Sequence, residues 1–415
     1  MPKIIAQLDW LTVLLYTIII GVGWAMIYSA TLETTNPEIL NFSKPYGKQI
    51  IWITLSVALI ILILSVESKF LIRFSSIIYV LSILLLAGLF VFGKSIAGQI
   101  AWYSFGSFNF QPAEFTKIAV SLALAKYLSE FNVSLKKPLI QIKTFIILGV
   151  PMLLILMQPD AGTALTFSTF LIPMYRKGLP HAYLIIGVSV ILLFLLTLKF
   201  SASAVAVSIV FLSILMIILL RKKKINYFKY FLTVGLGIGF VFSVNFVFNN
   251  ILLPHQQDRF EILLGNKTDI KGTGFNTYQS KVAIGSGGLT GKGWLKGTQT
   301  HGKFVPAQHT DYIFSTLAEE WGFLGSTAVI LIYLFFILRL FFMAERQKQT
   351  YSLIYGYCVA SILFIHFFVN IGMVLGLLPT IGIPLPLFSY GGSSLWAFTI
   401  LVFIFLKMDA KRKQL

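Results

Sequence analysis

A single cysteine, Cys358, stands in a chain of 415 residues, so no intrachain disulfide can form, and its place in an apolar run makes it a small filler. Charge is also sparse. Asp, Glu, Lys and Arg make up 12% of the chain, where a soluble domain carries about a quarter. Acidic residues are the scarcest, 15 against 33 Lys and Arg, which leaves a formal net charge of +18. No RNA- or DNA-binding motif accompanies that excess, so it reads as topology and contact with anionic lipid, with no nucleic-acid partner. No cleavable small-residue site follows the first apolar stretch, which is therefore expected to be a retained span. What is abundant is apolar: 57% of residues are hydrophobic, and mean hydropathy is +0.85.

Apolar runs of membrane-crossing length recur along the chain, and a lipid core of about 30 Å accepts them only as helices. Spans are expected at 11–29, 50–66, 74–92, 113–128, 139–157, 161–175, 182–198, 202–220, 231–248, 313–342, 353–373 and 385–406. The fold class is thus an all-α polytopic membrane protein of ten to twelve transmembrane helices, the 161–175 segment being short enough to be tilted or re-entrant. Alternate loops carry the basic residues: Lys69 and Arg73, Lys126 to Lys143, Arg176 and Lys177, Arg221 to Lys224, Arg346 and Lys348, Lys407 to Lys413. The positive-inside rule puts these loops and both termini in the cytoplasm.

The segment 249–312 then faces outward, and it is too long for a simple connection. It holds seven Lys or Arg against four Asp or Glu, and two glycine clusters, Gly285 to Gly288 and Gly291 to Gly293. Exposed backbone N–H groups beside lysines would suit an anion, although no P-loop spacing is present. Ionisable residues near the spans are the other signal, since they are costly in hydrocarbon and tend to line sites. Glu114 and Lys117 share a helix face and can pair, which fits an interfacial salt bridge as well as a site. Asp160 and Asp311 each precede a helix and are placed to cap it. Glu319 and Glu320 lie far enough into a span that at least one must face protein or water.

Several strings resemble the signature stretches of the shape, elongation, division and sporulation (SEDS) family, that of RodA and FtsW. They are Gln111-Pro112-Ala113-Glu114-Phe115-Thr116-Lys117, Gln158-Pro159-Asp160-Ala161-Gly162-Thr163, Ala283 to Gly288, and Pro306 to Asp311. The longest runs from Asn370-Ile371-Gly372-Met373 through Gly376 to Thr380 and Gly382 to Pro386, ending at Ser389-Tyr390-Gly391-Gly392-Ser393-Ser394. Gly293 to Gln299 and Gln256 to Arg259 resemble the RodA branch. Three features depart from the family pattern: Gly265 stands where many relatives carry Asp, Ile100-Ala101-Trp102 lacks a basic residue, and two spans exceed a core of ten, as a hairpin in 199–230 around Arg221 to Lys224.

The resemblance implies glycosyl transfer: lipid II, a disaccharide-pentapeptide on undecaprenyl diphosphate, is joined into glycan strands beside a class B penicillin-binding protein that crosslinks them. It implies Asp269 as the general base, since a sugar hydroxyl needs its proton removed as it attacks the anomeric carbon. Of the other carboxylates in 249–312, Asp258 and Glu261 lie in a charged run with Arg259, and Asp311 is placed as a cap. Lys48, Lys117, Arg259 and Lys281 are expected near the departing diphosphate, with Glu114, Asp160, Ser286, His309, Asp311 and Ser389 completing the substrate-binding set. Mg²⁺ or Mn²⁺ could bridge the diphosphate, though no dedicated metal cage is visible. Two other readings fit a chain of this kind, a transporter that flips lipid II and a non-catalytic scaffold for the penicillin-binding protein.

Overall fold

A computed structural model describes residues 5–32, 41–96, 98–106, 108–219, 226–252, 254–265, 274–306 and 308–412. In chain order the helices are α1 (Trp10–Thr31), α2 (Pro45–Ser65) and α3 (Ser68–Phe92), followed by strands β1 (Lys94–Ile96), β2 (Gln99–Phe105) and β3 (Phe108–Phe110). Then come α4 (Pro112–Ser129), α5 (Pro138–Met157), α6 (Ala161–Thr166), a 3-10 turn (Phe167–Phe170), α7 (Leu171–Arg176), α8 (His181–Lys199), α9 (Ala202–Leu219) and α10 (Tyr227–Asn250). The rest are α11 (Pro254–Leu263), α12 (Phe275–Ser286), α13 (Thr298–His301), α14 (Ile313–Glu345), α15 (Thr350–Val374) and α16 (Gly392–Lys411).

Among the described residues, ten helices are long and apolar enough to cross a membrane. Each of the twelve expected spans has a helical counterpart. Two of these counterparts are not among the ten, for local reasons of charge and length. Helix α4 carries Glu114, Lys117 and Lys126 and is buried along most of its length, while 161–176 is broken into α6, the 3-10 turn and α7. The last span begins later than its apolar run: Pro384 and Pro386 lack donors, and Leu387 and Gly391 have positive φ, so α16 starts only at Gly392. A three-stranded antiparallel sheet in order β1-β2-β3 fills the α3–α4 connection, which hydropathy alone did not announce.

The chain forms two compact units, one of 1–179, 279–375 and 381–415, the other of 180–278 and 376–380. In the smaller unit Ala202, Val205 and Val241 make the core, and Phe260 of α11 packs edge-on against Phe194 and Phe248. Residues 220–225, the centre of the expected hairpin, and 266–273 lie outside the described residues.

In the larger unit the decisive local feature is a break in α14. Gly322 has φ 65° and ψ −163°, which interrupts the helix. Helical bonding would pair Phe323 N–H with the Glu319 carbonyl and Leu324 N–H with Glu320. Instead the glycine segment takes both partners of each pair. Phe323 and Leu324 donate to the carbonyls of Gly288 (2.9 Å) and Leu289 (3.0 Å), while Lys292 and Gly293 donate to the carbonyls of Glu319 (3.1 Å) and Glu320 (2.9 Å). All four of these backbone groups are thereby satisfied. The approach is close enough that a methyl group on Gly287 would overlap the Ala318 carbonyl, and one on Gly291 the Glu320 carbonyl. The expectation that these glycines present free N–H groups to an anion is therefore corrected: Gly291, Lys292 and Gly293 all donate to carbonyls of the chain itself.

Gly322→Ala is expected to lower the melting temperature of the detergent-solubilised protein by several degrees, because the new methyl meets Gly291 N and Leu289 at a positive φ. An unchanged melting curve would mean that the join tolerates a side chain.

Candidate active site

Helix α4 begins with Pro112 in its first turn, where a missing N–H costs nothing, and Glu114 sits in the same turn, where its charge suits the helix dipole. Three residues on, Lys117 Nζ lies 2.8 Å from Glu114 Oε1. The expected pairing is present, and it is buried: Lys117 is 0% exposed and Glu114 2%. Lys117 makes a second contact, 2.8 Å to His366 Nε2 on α15, and its ammonium lies 5.2 Å from the centre of the Phe398 ring on α16. Three helices thus enclose one cation.

Asp160 does cap α6, its carboxylate accepting from Thr163 N at 3.0 Å, and it is buried. Asp311 does not cap. Tyr312 occupies the N-cap position of α14, and no side chain caps that helix. The carboxylate of Asp311 instead lies beside Gly382, whose Cα-borne methyl would sit 3.4 Å from Oδ2, while the start of α6 packs its Gly162 on the Ile381 carbonyl. Asp160 and Asp311 therefore meet at the Ile381–Gly382 turn. Burial first, and the neighbouring Asp160 charge second, push the Asp311 carboxyl up to about 6. Asn370 of α15 fixes this corner by donating to the Asp311 carbonyl at 2.8 Å and the Ile383 carbonyl at 2.7 Å.

His309 packs its ring 5.5 Å from that of Tyr390 and accepts from Tyr390 N through its carbonyl; burial lowers its pKa. Ser389 is engaged in structure, donating to the Thr310 carbonyl at 2.6 Å and accepting from Leu385 N at 2.9 Å. Lys48 lies part-exposed in the first turns of α2, next to Gln49, which accepts from Gly391 N at 3.3 Å. Lys281 is exposed on α12, and Ser286 at the end of that helix bonds back to the Ala283 carbonyl. Arg259 is on α11 of the smaller unit. Asp269 lies outside the described residues. A cavity of about 290 Å³ among α1, α2 and α16, lined by Leu8, Tyr16, Ile53, Leu64 and Phe403, touches none of these residues.

Sequence reasoning passes over His366, and it assigns no task to Asn370 within its motif or to Glu319. The signal for the first two was available: polar residues four apart in an otherwise apolar span share a face and need partners. Glu319, fully buried, accepts from Gln299 N, Thr300 N, the Thr300 hydroxyl and Lys292 Nζ at 2.7 to 2.9 Å, and so holds α13 against α14. Its partners lie about twenty residues away in sequence, beyond any helical spacing.

The cell cycle protein family FtsW/RodA/SpoVE matches the chain over residues 7–231 and 180–414. The chain belongs to that family. The SEDS resemblance of its motifs accordingly extends over nearly its whole length. The chain is 34% identical to the peptidoglycan glycosyltransferase RodA of Treponema pallidum, with 98% of this chain and 99% of that protein covered. It is 33% identical to the peptidoglycan glycosyltransferase MrdB of Escherichia coli K12, over 81% and 78%. Among solved structures it resembles a chain of a peptidoglycan synthase complex that coordinates polymerization and crosslinking, with a TM-score of 0.69, 28% identity and 98% and 99% coverage. The Thermus thermophilus rod shape determining protein RodA matches with a TM-score of 0.61 at 25% identity, over 98% and 97%.

The Asp311 carboxyl gives a pH prediction. Its folded pKa of about 6 exceeds the ordinary 3.8, so the folded state holds the proton more tightly. The stabilisation from this group is complete below about 3.8 and is lost as pH rises through about 6. Asp311→Asn, which stays neutral, should melt higher than the parent at pH 7, with the two curves converging near pH 4. A variant less stable than the parent at pH 7 would show that ionised Asp311 is stabilised in the fold.

Proposed function

We propose that this protein is a peptidoglycan glycosyltransferase that polymerises lipid II into glycan strands at the outer face of the cytoplasmic membrane, in the service of cell elongation and rod shape. The observation that carries the reading is the 34% identity, over essentially both full lengths, to a RodA that bears that activity in its name. The likeness to a synthase-complex chain that couples polymerization to crosslinking supports a crosslinking partner of the class B penicillin-binding type. Basic residues fall in alternate loops along the sequence, which supports placing those loops, and both termini, in the cytoplasm. The Asp160–Asp311 corner then faces outward, where lipid II is presented.

In this reading the acceptor hydroxyl gives its proton to a carboxylate as it attacks the donor's anomeric carbon, and the undecaprenyl diphosphate departs. Asp269 is the proposed base, flanked by Lys267 and Lys271, which favour its ionised form. One specific observation favours a second candidate. Asp311 stands just before a helix yet caps nothing, and its raised pKa of about 6 suits proton abstraction near neutrality. Lys48 and Lys281 remain cations for the diphosphate, whereas Lys117 is enclosed and acts as a structural charge. A divalent cation would supply neutralisation of the developing diphosphate charge. Among the described residues no group of three or more His, Cys, Asp or Glu converges to hold one, so Asp160 and Asp311 could supply two oxygens only, with diphosphate and water supplying the rest.

Asp269→Asn keeps size and removes the base. Polymerisation of purified lipid II by the protein with its partner should fall by about 10² to 10⁴ while partner binding survives. If Asp269→Asn polymerises normally and Asp311→Asn does not, the base is Asp311. Failure of the parent to polymerise, with lipid II transported across vesicle membranes instead, would establish the flippase; neither activity would leave the scaffold.

A further inference from the structure

Two side chains one turn apart on α15, His366 and Asn370, share a face and contact different groups of the buried polar system. His366 is 1% exposed and Asn370 0%. An ammonium group has three N–H donors and no lone pair, so the Lys117 Nζ contact at 2.8 Å requires a lone pair on His366 Nε2. The imidazole is therefore neutral, with its hydrogen on Nδ1. A protonated ring would turn an N–H toward the ammonium. Nδ1 has no hydrogen-bond partner of its own among the described residues, while one turn along the helix the amide of Asn370 donates to the Ile383 carbonyl. Phe398 fixes the ring from below, edge-on with centroids 5.0 Å apart.

We propose that His366 is a positioning residue for glycosyl transfer: as a neutral acceptor it holds the Lys117–Glu114 pair of α4 at a set distance from the 381–386 turn that seats Asp311. The inference rests on the polymerase reading above. The chain of contacts runs from Glu114 to Lys117 at 2.8 Å, from Lys117 to His366 at 2.8 Å, and then along α15 to Asn370, which holds Asp311 and Ile383 at 2.8 and 2.7 Å. His366 itself stays inside the protein, so it acts through the groups it spaces. A misplacement of about 1 Å at a reacting group can cost about 10²-fold in rate without weakening the binding of the rest of the substrate. The neutral Nδ1–H tautomer is the one form of the ring that can accept from Lys117 through Nε2.

Three variants of the full-length protein, assayed with its partner on lipid II, test this. His366→Gln keeps an acceptor for Lys117 and a donor on the other side. His366→Leu has neither, and His366→Asn is polar but one bond too short to reach Lys117. The expected result is a fall in kcat of about 10²-fold for Leu and Asn with KM nearly unchanged, and recovery of most of kcat by Gln. If the Leu variant fails to fold, the Asn-to-Gln comparison carries the test. A kcat per folded molecule within threefold of the parent for Asn, or a Gln variant no better than Asn, overturns the role. In parallel, the ¹⁵N spectrum of His366 should show the neutral Nδ1–H tautomer in the parent and lose it in Lys117→Met; a charged ring in the parent overturns the inference outright. A parent that makes no glycan overturns the activity reading, and this role with it; normal glycan from every variant overturns this role alone.

Discussion

A lysine ammonium with no exposed surface, Lys117, is the constraint around which the larger unit is arranged. Taking such a charge out of water is costly, and the cost is met only when charge and hydrogen bonds are supplied on every side. Glu114 supplies the charge from the preceding turn, His366 the second acceptor, and Phe398 a ring face. Because these come from α4, α15 and α16, the requirements of one side chain fix the spacing of three helices. Helices of largely apolar surface have little else to choose one rotation over another within lipid.

A second constraint acts through the backbone. At Gly322 the helix gives up two of its own hydrogen bonds, and the 287–293 segment restores four groups to partners. That exchange anchors a long connection to α14, and Glu319, just before the break, uses its carboxylate to hold the next turn of the same connection. The glycines thus serve close approach of one backbone to another, and the function of the segment is to carry residues such as His309 and Asp311 to the turn at 381–391.

Much of this was legible in the sequence and some was not, for physical reasons. Spans follow from apolar run length, so all twelve helical segments were visible, and the Glu114–Lys117 pair follows from three-residue spacing. The Asp160 cap follows from its place before Ala161. The same rule failed at Asp311, since a position before a helix permits a cap without requiring one, and here the Gly382 turn places the carboxylate elsewhere. The small sheet at 94–110 and the partners of Glu319 depend on contacts distant in sequence, which no local periodicity encodes. The glycine clusters were misread because exposed and engaged N–H groups look identical until their acceptors are known. Family motifs carried the functional reading further than residue chemistry could, above all for Asp269.

The claim that one buried cation organises the site is tested most directly by a double-mutant cycle on Glu114→Gln and Lys117→Met, read as unfolding free energy in detergent. Each single change should cost about 3 to 5 kcal/mol, because it strands the other partner, and the double variant should recover much of that loss. Losses that simply add, with the double variant the least stable of the four proteins, would contradict the account.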